Sequence, residues 1–129
     1  MLENPYFKES EFVCKCGHCV KPKNVPSDKL VRALVWVRET FGSPVIINSG
    51  YRCPAHNKSV GGAPSSQHTT GSAADFVVKG HRTEEVFRVV MNRFKEEGFG
   101  IAIKRNKQNP YGGFVHLDSR GYFATWEYK

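Results

Sequence analysis

Apolar residues recur at helical spacing in two stretches of the chain. The first stretch has five of them on one face: Leu30, Ala33, Leu34, Val37 and Phe41. Asn24 or Ser27 can cap the start of this helix, and Gly42 can end it. A second helix is predicted to begin at Thr83 and to end at Gly98. Its apolar positions are Val86, Val89, Val90 and Phe94.

Shorter apolar runs between turn residues predict strands. Such runs occupy positions 45–47, 74–78, 100–104, 114–118 and 122–126. The last three are separated by turn-forming residues, which suggests an antiparallel meander. We therefore expect an α+β fold in which a small antiparallel sheet carries the functional site and two main helices pack on it. The stretch 51–73 has almost no apolar periodicity, and so long a loop in a small domain is usually functional or disordered.

The composition is that of a globular protein. With 129 residues, of which 40% are hydrophobic and 24% charged, the chain is expected to form one domain over 1–129, with a Cys-rich N-terminal segment at 10–22. Its longest apolar runs are strand-sized, whereas a membrane span needs about 20 residues. The first residues lack the pattern of a secretory signal, so we expect synthesis in the cytoplasm.

The net charge of +7 favours an anionic partner. Nucleic acid, anionic lipid and an anionic polymer such as cell wall all meet this description. A nucleic-acid-binding module with a zinc knuckle is one hypothesis. Against it, the basic residues are spread along the chain without interleaved aromatic residues, so we expect no specific nucleic-acid partner.

Three residues have the chemistry of a metal site. Asp75 lies at the start of an aliphatic strand, where a carboxylate must be paired, hydrogen-bonded or bound to a metal. His68 precedes it by seven positions, and His116 lies within a later strand. Two imidazoles and one carboxylate form a common catalytic zinc set that leaves one tetrahedral position for water.

Two motifs carry a resemblance to a known family: Ser66-x-His68-x-x-Gly71-x-Ala73-x-Asp75 and Phe114-Val115-His116-x-Asp118-x-Arg120. They resemble the zinc peptidases of peptidoglycan typified by the D-alanyl-D-alanine carboxypeptidases, and within them a small phage-like branch. Relatives include phage endolysins that cut L-alanyl-D-glutamate bonds, and the metal fold is shared with lysostaphin-type enzymes and the hedgehog signalling domain.

The resemblance implies a role for each matching residue. His68, Asp75 and His116 would bind one catalytic zinc ion, which activates water for hydrolysis of a peptide bond. Arg52 would hold a substrate carboxylate or carbonyl oxygen near the metal, because a guanidinium suits that geometry. Ser66 would hydrogen-bond the peptide substrate or support the metal site. The substrate would be a peptidoglycan stem peptide, cut as a D-Ala-D-Ala carboxypeptidase or as an L-Ala-D-Glu endopeptidase.

The general base is missing from its usual place. Many relatives have Glu or Asp three residues before the last zinc histidine, or a second histidine two residues before it, but here these positions are Gly113 and Phe114. Asp118 shares a strand face with His116, so it can act as the base or orient the imidazole. Arg120 is expected to pair with Asp118. The missing base also keeps open a hedgehog-like domain that binds metal without catalysis.

The four cysteines allow two interpretations. Cys14, Cys16 and Cys19 are crowded together, and Cys53 follows Arg52 far along the chain. They can form a structural zinc site, with His18 as an alternative ligand, or two disulfides. Either arrangement would tie the N-terminal segment to the loop that carries Arg52.

The family resemblance also gives meaning to the missing signal. A phage or prophage lysin is released to the bacterial cell wall by another protein's pore and needs no leader of its own. We therefore expect a monomer that acts at the wall after release.

Overall fold

The computed structural model describes residues 6–15, 26–62, 66–70 and 72–128. Within them lie three α-helices: α1 (Asp28–Phe41), α2 (Pro54–Ser59) and α3 (Thr83–Phe94). The strands are β1 (Val45–Ser49), β2 (Ala73–Val78), β3 (Gly100–Lys104), β4 (Phe114–Asp118) and β5 (Ala124–Tyr128). Single 3₁₀ turns occupy Glu9–Phe12 and Gln67–Thr70. The α+β prediction is confirmed.

The helix boundaries follow local chemistry. The Ser27 hydroxyl accepts a hydrogen bond from the Leu30 amide at 3.3 Å, and Gly42 ends α1 in the left-handed conformation, as predicted. At α3, the predicted cap Thr83 is instead the first helical residue, because its hydroxyl donates to the carbonyl of Gly112 and Arg82 takes the cap position. The helix α2, which begins at a proline, lies in the stretch expected to be irregular.

The sheet has the strand order β1-β2-β4-β3-β5. The first four strands pair antiparallel, but β5 runs parallel to β3. The predicted meander is therefore wrong at its last strand. Because β4 lies between β2 and β3, neither of its edges is open to the strand that follows it in the chain, and β5 pairs instead at the outer edge of β3.

The two faces of the sheet have different surroundings. One face packs against α1 and α3 around buried residues such as Phe76, Ile101 and Leu117. Because side chains alternate along a strand, Asp75 and His116 point to the other face. These two residues are register partners on the neighbouring strands β2 and β4. The site therefore sits on the side of the sheet opposite the main helices.

Candidate metal centre

The three predicted ligands come together on that face. His68, Asp75 and His116 are all buried, and one ligand atom of each lies within 4.8 Å of the other two. Asp75 Oδ1 is the meeting point, at 3.2 Å from His68 Nε2 and 2.8 Å from His116 Nδ1. The arrangement can hold a metal ion.

The ring of His68 is oriented by the backbone. Its Nδ1 donates to the carbonyl oxygen of Gly50 at 2.7 Å. In a neutral imidazole this leaves a lone pair on Nε2, which is buried and has no hydrogen-bond partner among the described residues. A buried nitrogen that has a free lone pair and lies close to a carboxylate has the environment of a metal ligand.

His116 lies between two carboxylates. Its Nδ1 is 2.8 Å from Asp75 Oδ1 and its Nε2 is 2.7 Å from Asp118 Oδ2. Burial disfavours the charged ring, yet the hydrogen bonds to Asp118 and Asp75 outweigh it, and the pKa of His116 is raised. A metal ion beside Asp75 would take over the role of the proton on Nδ1. The donor set therefore fits zinc, which binds neutral imidazole and carboxylate.

Asp75 is held as a carboxylate by the same contacts. Burial works to raise its pKa, but the hydrogen bond from His116 and the close contact with the His68 ring lower it to about 2. The carboxylate is consequently ionised at any pH at which a metal ligand is needed.

Asp118 lies in a fully buried position behind His116. Arg120 donates to both of its oxygens, from Nε and Nη2, at 2.7 Å each. Burial raises the pKa of Asp118, but the hydrogen bonds from Arg120 and His116 dominate, and the pKa lies far below its ordinary value. The expected Asp118–Arg120 pair is thus present. Both carboxylate oxygens have partners, and neither lines the cleft.

A glycine makes room for this ion pair. Gly100 is the register partner of Asp118 on β3, and its amide donates to Asp118 Oδ1 at 3.2 Å. A Cβ atom at this position would lie 2.5 Å from Asp118 Oδ2 and 2.6 Å from Arg120 Nε. Sequence reasoning missed Gly100, whose signal is a glycine inside a strand pattern.

Arg52 and Ser66 meet at the opposite side of the metal set. The Ser66 hydroxyl oxygen accepts from Arg52 Nη2 at 3.3 Å and from the His68 amide at 3.2 Å. The Arg52 amide in turn donates to the carbonyl of His68 at 2.9 Å. The guanidinium Nε of Arg52 is buried without a hydrogen-bond partner in the described part of the chain. The serine thus connects the arginine to the segment that carries His68.

A cleft of about 670 Å³ opens above these residues. Arg52, Lys104 and Arg120 line it, and among the described lining residues Asp75 is the single carboxylate. The cleft is therefore electropositive and suits an anionic ligand.

Aromatic side chains form one wall of the cleft, and sequence reasoning missed them as well. The lining residues of this kind are Phe114, Tyr122, Trp126 and Tyr128. The ring of Trp126 lies 5.1 Å from that of His116, and the guanidinium of Arg120 stacks on Trp126 at 4.9 Å. The alternation of aromatic residues along β5 was the available signal.

The predicted cysteine site falls only partly within the described residues. Cys14 and Cys53 are described, and their sulfur atoms lie 3.7 Å apart. Cys16, His18 and Cys19 lie outside the described residues.

The chain matches a known protein family. The family model for Peptidase M15 matches residues 5–118. This range includes His68, Asp75, His116 and Asp118, and it ends before β5. No curated protein matches the chain.

Proposed function

Because the chain belongs to the peptidase M15 family, whose members are zinc-dependent hydrolases, we propose that it hydrolyses a peptide bond in the stem peptides of peptidoglycan. The observation that carries the proposal is the convergence of His68, Asp75 and His116 beside an electropositive cleft. Among the described residues no helix is long and apolar enough to cross a membrane. The proposed place of action is the cell wall, reached after release as a lysin.

His68 Nε2, Asp75 Oδ1 and His116 Nδ1 are proposed to hold a single catalytic zinc ion. When bound, zinc lowers the pKa of a coordinated water toward ~7 and polarises a carbonyl oxygen. The residues of the chain hold the ligands in the required orientation and protonation state. Gly50 keeps the proton of His68 on Nδ1, which leaves Nε2 free for the metal.

Asp118 is proposed to position His116 rather than to act as the base. Its oxygens accept hydrogen bonds from Arg120 and from His116 Nε2. The contact with His116 keeps the proton of the imidazole on Nε2, so Nδ1 is free to bind a metal. A carboxylate behind a metal-bound histidine fixes the tautomer and strengthens the ligand.

Arg52 is proposed to bind the substrate. Ser66 holds one end of its guanidinium, and the side chain lines the cleft. Stem peptides carry free carboxylates, so Arg52 and Lys104, which line the cleft, support this substrate class.

Removal of one metal ligand tests the proposal. His68→Ala should lose the catalytic zinc, measured by elemental analysis, and all release of amino acid or peptide from purified peptidoglycan. His81→Ala, which removes a histidine on the helix side of the sheet, is the matched control and should keep both. Turnover by the zinc-free His68→Ala protein would overturn the proposal. Mass spectrometry of the digested muropeptides distinguishes carboxypeptidase from endopeptidase cleavage.

A second candidate is a metal-binding domain without catalysis. It is favoured by the fact that Asp75 is the single carboxylate among the described lining residues. A zinc-loaded wild-type protein that binds peptidoglycan and releases nothing from any muropeptide would support this candidate over the first.

A further inference from the structure

Cys14 and Cys53 lie next to each other and pack with Tyr51. We propose that they are two thiolate ligands of a structural zinc ion, distinct from the ion held by the His68 set. This inference is independent of the proposed peptidase activity, because it rests on other residues.

The distance between the two sulfur atoms matches a shared metal ion. A disulfide requires about 2.05 Å between sulfurs, whereas Cys14 Sγ and Cys53 Sγ are 3.7 Å apart. Two thiolates on one tetrahedral zinc, with Zn–S bonds of about 2.3 Å, are separated by about 3.8 Å. The sulfurs therefore already have the spacing that a zinc ion requires.

The surroundings of the sulfurs suit thiolates. The Cys53 amide donates to Cys14 Sγ at 3.3 Å, and the His56 amide donates to Cys53 Sγ at 3.4 Å. Amide hydrogen bonds to a ligand sulfur stabilise its negative charge. Cys14 is buried, and Tyr51 packs beside both sulfurs. A pair of soft sulfur ligands selects zinc over magnesium or calcium.

The chain holds this pair in place through close backbone contact. The Tyr51 amide donates to the carbonyl of Phe12 at 2.9 Å. A Cβ on Gly50 would lie 2.7 Å from the Cα of Phe12, so only glycine allows this approach. Gly50 and Arg52, which flank Tyr51, are the residues that orient His68 and face the substrate. A metal at the cysteine pair would therefore fix the backbone on which both depend.

A four-coordinate zinc needs two more ligands. The sequence offers Cys16, His18 and Cys19 within five positions of Cys14, all outside the described residues. Short spacing of this type is typical of structural zinc sites.

Counting metal ions tests the inference. Elemental analysis of the wild-type protein should give two zinc ions per chain, and one each in His68→Ala and in Cys53→Ser. Val13→Ala, an exposed neighbour of Cys14, is the matched control and should keep two. Cys53→His should restore the second ion, because imidazole is also a zinc ligand.

Cobalt substitution provides a readout that does not depend on activity or on the Cys53→Ser protein being stable. Cobalt-loaded wild type should show a thiolate-to-cobalt charge-transfer band, which His68→Ala retains. A single zinc that is lost in His68→Ala and retained in Cys53→Ser, or a Cys14–Cys53 disulfide-linked peptide in the zinc-containing protein, would overturn the inference. Two zinc ions in a protein without peptidase activity would uphold it while refuting the proposed function.

Discussion

Replacing Asp118 by Asn tests whether this carboxylate positions His116 or takes part in the reaction. The substitution keeps the shape of the side chain but removes its charge. Asp118 accepts two hydrogen bonds from the Arg120 side chain and one from His116, at 2.7 Å each. The variant therefore weakens the contact that fixes the metal-binding tautomer of His116 and leaves the guanidinium without its anion.

The magnitude follows from these contacts. Loss of one partner of a buried ion pair costs about 3–5 kcal/mol, and Asp118 is fully buried while the Arg120 side chain is 16% exposed. We expect the free energy of unfolding of zinc-free protein to fall by about that amount. Loss of a carboxylate behind a metal-bound histidine weakens metal binding by roughly 10- to 100-fold, or about 1.4–2.8 kcal/mol.

Two assays measure these effects separately. Competition with a chromophoric chelator gives the zinc dissociation constant, and urea unfolding of zinc-free protein gives the stability. Arg120→Gln is the matched control, because it breaks the same ion pair while the His116–Asp118 contact stays. It should lower stability and change zinc affinity less than Asp118→Asn. If Asp118→Asn binds zinc as wild type does and yet loses all turnover, Asp118 is a catalytic group and the positioning role is wrong.

Three further predictions concern the same face of the sheet. Gly100→Ala should lower the free energy of unfolding by about 1–3 kcal/mol, because the new Cβ overlaps Asp118; an unchanged denaturation midpoint would contradict the packing argument. The raised pKa of His116 means that its protonated ring stabilises the zinc-free protein below the unfolded pKa of about 6.5, and this contribution is lost as pH rises through the raised value. Zinc affinity should therefore increase as pH rises across the same window, because the proton on His116 Nδ1 must leave before zinc can bind there. A zinc affinity that calorimetry shows to be independent of pH would refute the role of His116 as a ligand. Trp126→Leu should reduce kcat/KM by about tenfold with zinc affinity unchanged, because it removes part of the cleft wall; a full loss of zinc would instead make Trp126 a support of the metal site.

The structure brings the three predicted ligands together, and the sequence signal for them lay in their combination. A carboxylate among aliphatic residues must be paired, hydrogen-bonded or bound to a metal, which singled out Asp75, while His68 and His116 gained weight only beside it and from the family resemblance. The direct pairing of Asp75 and His116 across β2 and β4 needed the register of the sheet. The position of Ser66 between Arg52 and His68 likewise depends on how a long loop folds back, which no periodicity encodes.

The remaining differences arise where one strand had a choice of partners. The 122–126 run was predicted to pair with β4, but pairing is decided by which edge is left open, and this depends on all the other strands. The position of the aromatic cleft wall depends on the pairing of β5 with β3. Trp126 and Tyr128 border the cleft only because β5 lies beside β3. Local sequence could predict the strand and could not predict its neighbour.

The parallel pairing of β5 with β3 also bears on the order in which the parts of the site can form during folding. Strands β1 to β4 form a contiguous sheet that carries Asp75 and His116 without any contribution from β5. Because β5 adds at the outer edge, it needs no rearrangement of the strands already paired. The metal ligands of the sheet therefore do not depend on β5, whereas the aromatic wall of the cleft does, so that metal binding and substrate recognition are separable steps in the assembly of the site.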